Sequence, residues 1–387
     1  MRRLLILVIL IACLPAPAAA QAQADGAPTT PATRPDGGPW RIAYYQGGEY
    51  TGYMGVLPAM LDNLKDMGWI LADTDACFPE GQTMRMAWSC LADTADGPYL
   101  RFAKNAFWDA RWSNATREQT RKDALERLSQ GGDVDLVIAM GTWAGQDLAV
   151  EGHSVPTLVA STSNPLAAGI IDSPEDSGLD HVHARIDPAR YARQVRLFHE
   201  IAGFETLGVA YEDTVEGRTY AGLDQVKPEA ERLGVALVGC QALFSGASLE
   251  EAKQAVLECH QKLAPQVDAF YITTHRGVAP DNFAELIAPF LEHKVPTFAM
   301  GTSYQVRRGA FMSMAQPDFY FAGGFYARTM AKILNGAKPR DLNQVFEDPH
   351  GVSVNMETAR VIGFDVPIDV LTEAGTIYKE IHPYRPE

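Results

Sequence analysis

Six short polar stretches stand where apolar runs end, and they are the residues in this chain whose types could do chemistry. They are Tyr45-Gln46-Gly47-Gly48, Thr142-Trp143, Ser161-Thr162-Ser163-Asn164, Tyr211-Glu212 with Glu216 further on, Thr274-His275-Arg276, and Thr302. Hydroxyls, amides and backbone N–H groups at such points can hold a small ligand. Each stretch taken singly is equally well explained as a helix cap. Six of them converging on one cleft make a binding site. Proton transfer would need Glu212 or Glu216 as acid/base with His275 as its partner. No motif supports that: a Walker loop, a Gly-x-Gly-x-x-Gly fingerprint, Gly-x-Ser-x-Gly and His-Glu-x-x-His are all missing from the sequence. The run Gly47-Gly48-Glu49-Tyr50-Thr51-Gly52 has the wrong glycine spacing for a nucleotide loop. His181 and His183 alternate as a metal pair would, and read instead as a solvated polar strand face. We therefore expect a binding protein, with no enzyme activity, cofactor or metal.

The elements that position these stretches follow from the hydrophobic pattern. Short β-branched or aromatic runs at 41–45, 136–140, 157–160, 207–211, 235–239, 270–274, 297–300 and 311–315 alternate with helical periodicity at 54–67, 117–128, 189–201, 249–263, 283–291 and 325–334. Alternation of this kind gives an α/β fold with parallel sheets and crossover helices. Two lobes are expected: residues 40–163 together with about 310–387 as the N-terminal lobe, and 180–301 as the C-terminal lobe. The stretch 74–116, rich in Trp and Phe, reads as an insertion packed on itself or as an apolar flap.

The whole chain has 387 residues with 33 Lys+Arg against 48 Asp+Glu, a formal charge of -15 that would repel a phosphate backbone, so nucleic acid is excluded as a partner. Arg2 and Arg3, the apolar run 4–14 and the small residues up to Ala24 read as a signal peptide over 1–24, exporting the protein to the periplasm; Cys13 offers an alternative lipoprotein box. Residues 25–39, rich in Pro and Gly, read as a flexible leader. Export places Cys77, Cys90, Cys240 and Cys259 in an oxidising space, where two disulfides are expected. Of the three connectivities, proximity favours Cys77 with Cys90 and Cys240 with Cys259.

From about Arg41 to Ile381 the sequence resembles the ABC transporter substrate-binding protein family whose best-known members take tryptophan or tyrosine, built on the type I periplasmic-binding fold. The segments that carry the resemblance are Val155-Pro156-Thr157-Leu158-Val159, Asn164-Pro165-Leu166-Ala167-Ala168-Gly169, Gly208-Val209-Ala210-Tyr211 with Glu216, and the tail Ser353-Val354-Asn355-Met356-Glu357-Thr358-Ala359-Arg360-Val361-Ile362-Gly363 followed by Pro367 and Leu371. The resemblance implies two Rossmann-like lobes joined by three crossovers, closing on a small ligand and delivering it, as a monomer, to an ABC permease in the inner membrane. This chain departs from the family in having Asn164 where an Asp often precedes the Pro, and His275-Arg276 where an acidic residue often follows the strand. Without those carboxylates the expected ligand is neutral or anionic, and aromatic or apolar given Tyr44, Tyr45, Tyr50, Tyr53 and Trp143.

Overall fold

The computed structural model describes residues 26–79, 81–301, 303–314, 318–349 and 351–384. The expected signal peptide over 1–24 and Cys13 lie outside them, as does Thr302.

One sheet contains β1 (Trp40–Gln46), β2 (Leu100–Asp109), β3 (Leu136–Met140), β4 (Thr157–Ala160) and β5 (Val182–Ala184), all parallel, in the order β2-β1-β3-β4-β5. Its helices are α1 (Tyr53–Asp66), α2 (Met84–Thr94), α3 (Asn114–Gln130) and α4 (Thr142–Leu148). Period-two alternation buries both faces: Ile42 and Tyr44 point into one core with Leu136 and Ile138, while Ala43 and Tyr45 point into the other with Val137 and Ala139.

The second sheet holds β6 (Thr206–Tyr211), β7 (Ala236–Gln241), β8 (Ala269–Ile272), β9 (Thr297–Ala299), β10 (Met312–Ser313), β11 (Val352–Asn355) and β12 (Ala374–Tyr378), in the order β12-β11-β10-β9-β8-β6-β7. Only the β10–β11 pair is antiparallel. Around it lie α5 (Arg190–Ala202), α6 (Val215–Tyr220), α7 (Leu223–Leu233), α8 (Leu249–Leu263), α9 (Phe283–Glu292), α10 (Ser303–Arg307), α12 (Met356–Ile362) and α13 (Ile368–Glu373). Helix α11 (Tyr320–Leu334) returns to the first lobe, where Tyr326, Ala327 and Met330 join the core under α1. The chain thus passes between lobes after β5, after β10 and before β11. The first and last passages run side by side, with Ile186 N–H on Gln344 O at 2.8 Å and Phe346 N–H on Ile186 O at 3.0 Å.

Five sequence expectations need correction. Residues 74–116 are no insertion: they supply α2 and the edge strand β2, whose pairing with β1 shifts register between Ile42 and Tyr44 and so breaks the alternation that would have announced a strand. The strand bearing His183 belongs to the first sheet, so the second lobe begins beyond 180; its imidazoles are buried, not solvated, with His181 Nε2 on Leu148 O at 3.3 Å and His183 Nε2 on Asn343 O at 3.0 Å. From 310 onward only α11 and the segment after it rejoin the first lobe, because β10, β11 and β12 extend the second sheet. The leader is tied down: Trp40 Nε1 donates to Ala32 O and Trp69 Nε1 to Thr29 O, both at 2.8 Å, and Asn335 Nδ2 reaches Thr30 O at 3.0 Å.

The disulfides are Cys77–Cys90, joining the 3-10 turn before α2 to α2 itself, and Cys240–Cys259, joining β7 to α8. The tail motif is structural. Asn355, fully buried, caps α12 by accepting Thr358 N–H at 3.0 Å and ties it to the lobe through Val306 O at 2.8 Å; Gly363 ends the helix at φ 72°.

Candidate functional site

The strand C-termini of both sheets face each other, and between them lies a cavity of about 630 Å³. The first lobe contributes Tyr50 after β1, the start of α1, Ser161, Thr162 and Ser163 after β4, and Phe319 and Tyr326 of the α11 region. The second contributes Arg190 and Tyr191 at the start of α5, Thr274 and His275 after β8, and Tyr304 and Gln305 on α10. Arg185 and Asp348, from the adjacent crossovers, close the floor with an ion pair.

Aromatic rings set the character of this chamber, and burial raises the phenols of Tyr50, which is pushed up to about 12, and of Tyr191. Polar atoms among them are placed sparingly. Tyr326 Oη takes Ser161 N–H at 3.0 Å, and Tyr191 Oη donates to Ser163 O across the cleft at 3.3 Å. Thr162 Oγ1 and Gln305 Oε1 are buried with no hydrogen-bond partner, a cost that a ligand would relieve. Arg190 lies over the Tyr191 ring at 5.6 Å and has no carboxylate partner among the described residues. His275 is 3% exposed and neutral: burial drops its pKa to about 4, its Nε2 faces Ala242 O at 3.4 Å, and its Nδ1 accepts Gly277 N–H at 3.0 Å. Asp62 and Asp318 are the remaining carboxylates of the lining; burial raises the first, and the second caps α11 by accepting Tyr320 N–H at 3.0 Å.

Of the residues singled out in the sequence, Tyr50, Ser161, Thr162, Ser163, Thr274 and His275 line the chamber. The others do different work. Arg276 is turned away, its Nη1 donating to Phe244 O at 2.9 Å and Ala247 O at 3.1 Å. Glu212 holds that same loop, accepting the N–H groups of Phe244 and Ser245 at 3.0 and 2.9 Å. Asn164 accepts Leu166 and Ala167 N–H and donates to Asp224. Tyr45 Oη donates to Asp147 at 2.7 Å, Gln46 accepts from Tyr44 Oη at 3.1 Å, and Tyr211 lies over Gly239. With Arg276 and Asn164 occupied elsewhere, the charge argument drawn from them does not describe the chamber. Arg190, Tyr191, Gln305, Phe319 and Tyr326 were missed because they sit at helix starts and on helix faces, where the pattern marks them as cap or core.

Gly47, Gly48, Thr142, Trp143 and Glu216 gather further from the crossovers, around Trp112. This residue follows β2 in the left-handed region, at φ 53° after Arg111 at φ 55°, an arrangement that costs about 1–2 kcal/mol per residue. Its backbone N–H binds Gly47 O at 2.8 Å and its Nε1 binds Glu49 O at 2.8 Å. Trp143, with Arg117 over its ring at 4.4 Å, lies beside it, and Glu216 of the second lobe stands 3.8 Å from Arg117.

Three solved structures share this architecture. A conserved domain protein from Vibrio cholerae O1 biovar eltor is 22% identical, with TM-score 0.67 over 87% of this chain and 99% of that one. An ABC domain in complex with L-Trp from Streptococcus pneumonia is 19% identical, with TM-score 0.63 over 87% and 99%. A ligand-free, open substrate-binding protein with adhesive properties from Clostridium difficile is 19% identical, with TM-score 0.56 over 88% and 100%. No curated protein sequence matches significantly. The profile of the ABC transporter substrate binding proteins matches residues 102–378, and the chain belongs to that family.

Proposed function

We propose that the protein is the exported receptor of an ABC importer, binding one small aromatic or heteroaromatic carboxylic acid between its lobes and presenting it, as a monomer, to an inner-membrane permease. The observation that carries this reading is Arg190, a cation without a carboxylate partner among the described residues, set among Tyr50, Tyr191 and the other rings of the interlobe cleft. An anionic group pairs with it, and the ring system packs against Phe319 and Tyr326. Gln305 Oε1 and Thr162 Oγ1, buried without partners, favour a ligand that carries a ring N–H or O–H. The cation differs from the one expected in the sequence, and the ligand class narrows from neutral or anionic, aromatic or apolar, to anionic and aromatic. The complex of the Streptococcus protein with L-Trp supports an aromatic occupant. Among the described lining residues His275 is held neutral and bonded on both nitrogens, which favours binding over acid–base chemistry.

Native mass spectrometry of the protein recovered from its own periplasm tests this directly. A bound small molecule of aromatic-acid mass supports the reading; a bound sugar or aliphatic peptide rejects it.

A further inference from the structure

The interlobe gap holds more aromatic surface than the ligand chamber uses. Beyond Tyr50, which belongs to both, Trp112, Trp143, Tyr220 and Phe244 form a separate cluster drawn from the two lobes. The Trp112 indole lies at its centre, 6% exposed, edge-on to Phe244 at 5.1 Å and to Trp143 at 5.4 Å. The first lobe builds a seat for that ring. A Cβ on Gly48 would lie 2.4 Å from Trp112 Cδ1, and one on Gly47 would lie 2.9 Å from its Cζ3, so only glycines leave room. The second lobe closes over it with Phe244 and with Gly246 N–H, which binds Trp112 O at 3.0 Å. The Tyr220 hydroxyl, behind Phe244, is buried without a partner.

We infer that the gap between the lobes holds a second aromatic subsite, joined to the ligand chamber at Tyr50, and that the Trp112 indole fills it from within the chain. Glycine seat, aromatic walls from both lobes and backbone bonds are the features of a ligand subsite, and here the occupant is the protein's own side chain. The strained pair at Arg111 and Trp112 is the local cost of bringing it there. Removing the ring leaves a walled apolar space that takes a free planar aromatic.

Calorimetry and thermal shift with free indole test this on the purified mature chain. Trp112→Ala should bind indole saturably, regain part of its lost Tm, and show at least tenfold tighter binding than wild type, in which the seat is taken. A folded W112A that binds indole no better than wild type overturns the inference. Should W112A fail to fold, Trp112→Leu with benzene replaces it: saturable benzene binding absent from wild type supports the inference, and its absence overturns it. The readout needs no ligand in the Arg190 chamber. Failure of the aromatic-acid reading would therefore leave the indole result standing, and the reverse.

Discussion

Asn164 donates its side-chain amide to the Asp224 carboxylate across the seam between the lobes, while its Oδ1 accepts Leu166 N–H at 3.1 Å and Ala167 N–H at 3.2 Å. An amide can donate outward and accept inward at once, whereas an ionised Asp could only accept. At this position Asp would set two carboxylates face to face, one of them, Asp224, already raised by burial. Asn164→Asp should therefore destabilise the protein by about 1–3 kcal/mol, and Asp224→Asn added to it should restore most of the loss. Denaturant titration of the four-variant cycle checks this; an N164D variant as stable as wild type would contradict the pairing.

Arg190 and Arg276 should respond differently to the same substitution. Arg190→Gln is expected to weaken an aromatic carboxylate by roughly 2–5 kcal/mol, the range for truncating one partner of a buried charge pair. Arg276→Gln should instead lower stability by about 1–3 kcal/mol, because it releases the Phe244 and Ala247 carbonyls, and should leave ligand affinity within about twofold. Calorimetry and urea melts of both variants distinguish them.

Closing loops with sequence separations of 13 and 19 residues, the two disulfides should each contribute about 3 kcal/mol on the chain-entropy account. Reduction should lower the denaturation midpoint in two steps if the bonds differ in access. Peptide mass mapping should recover Cys77 with Cys90 and Cys240 with Cys259; a crossed pair would contradict the fold.

Acid should destabilise the protein earlier than its carboxylates alone require. Burial drops both His260 and His275 to about 4, from an ordinary value of 6.5. Between those pH values the unfolded chain binds protons that the native chain refuses. The stability is fully present above pH 6.5 and is lost as pH falls toward 4, roughly 3 kcal/mol per histidine. His260→Leu, placed between Phe270 and Phe290, should reduce the slope of ΔG against pH in that window, and a slope identical to wild type would refute the assignment.

The fold was legible where burial is symmetric. Strands such as β3 and β4 are continuous apolar runs because both faces are covered, and α8 announces itself through apolar residues spaced at three and four over 249–263. It was illegible where side chains serve neighbours. β2 has a bulge and an exposed edge, and β5 carries a buried imidazole in place of an aliphatic. The site divided in the same way. Ser161, Thr162, Ser163, Thr274 and His275 lie on strand ends, which sheet topology alone aims at the cleft. Arg190 and Arg276 carry the same side chain, and only the packing of the 242–247 loop decides which one is spent on carbonyls.

The most direct measurement of the central claim is a calorimetric titration of the wild-type protein with matched pairs of ligands: an indole or phenol carboxylic acid, and the corresponding zwitterionic amino acid. The account predicts tighter binding of the acid, by at least tenfold, with the advantage abolished in Arg190→Gln. Tight binding of tryptophan or tyrosine that survives Arg190→Gln and is lost in Asp62→Asn or Asp318→Asn would contradict it, because the ammonium group would then be the feature the cleft recognises.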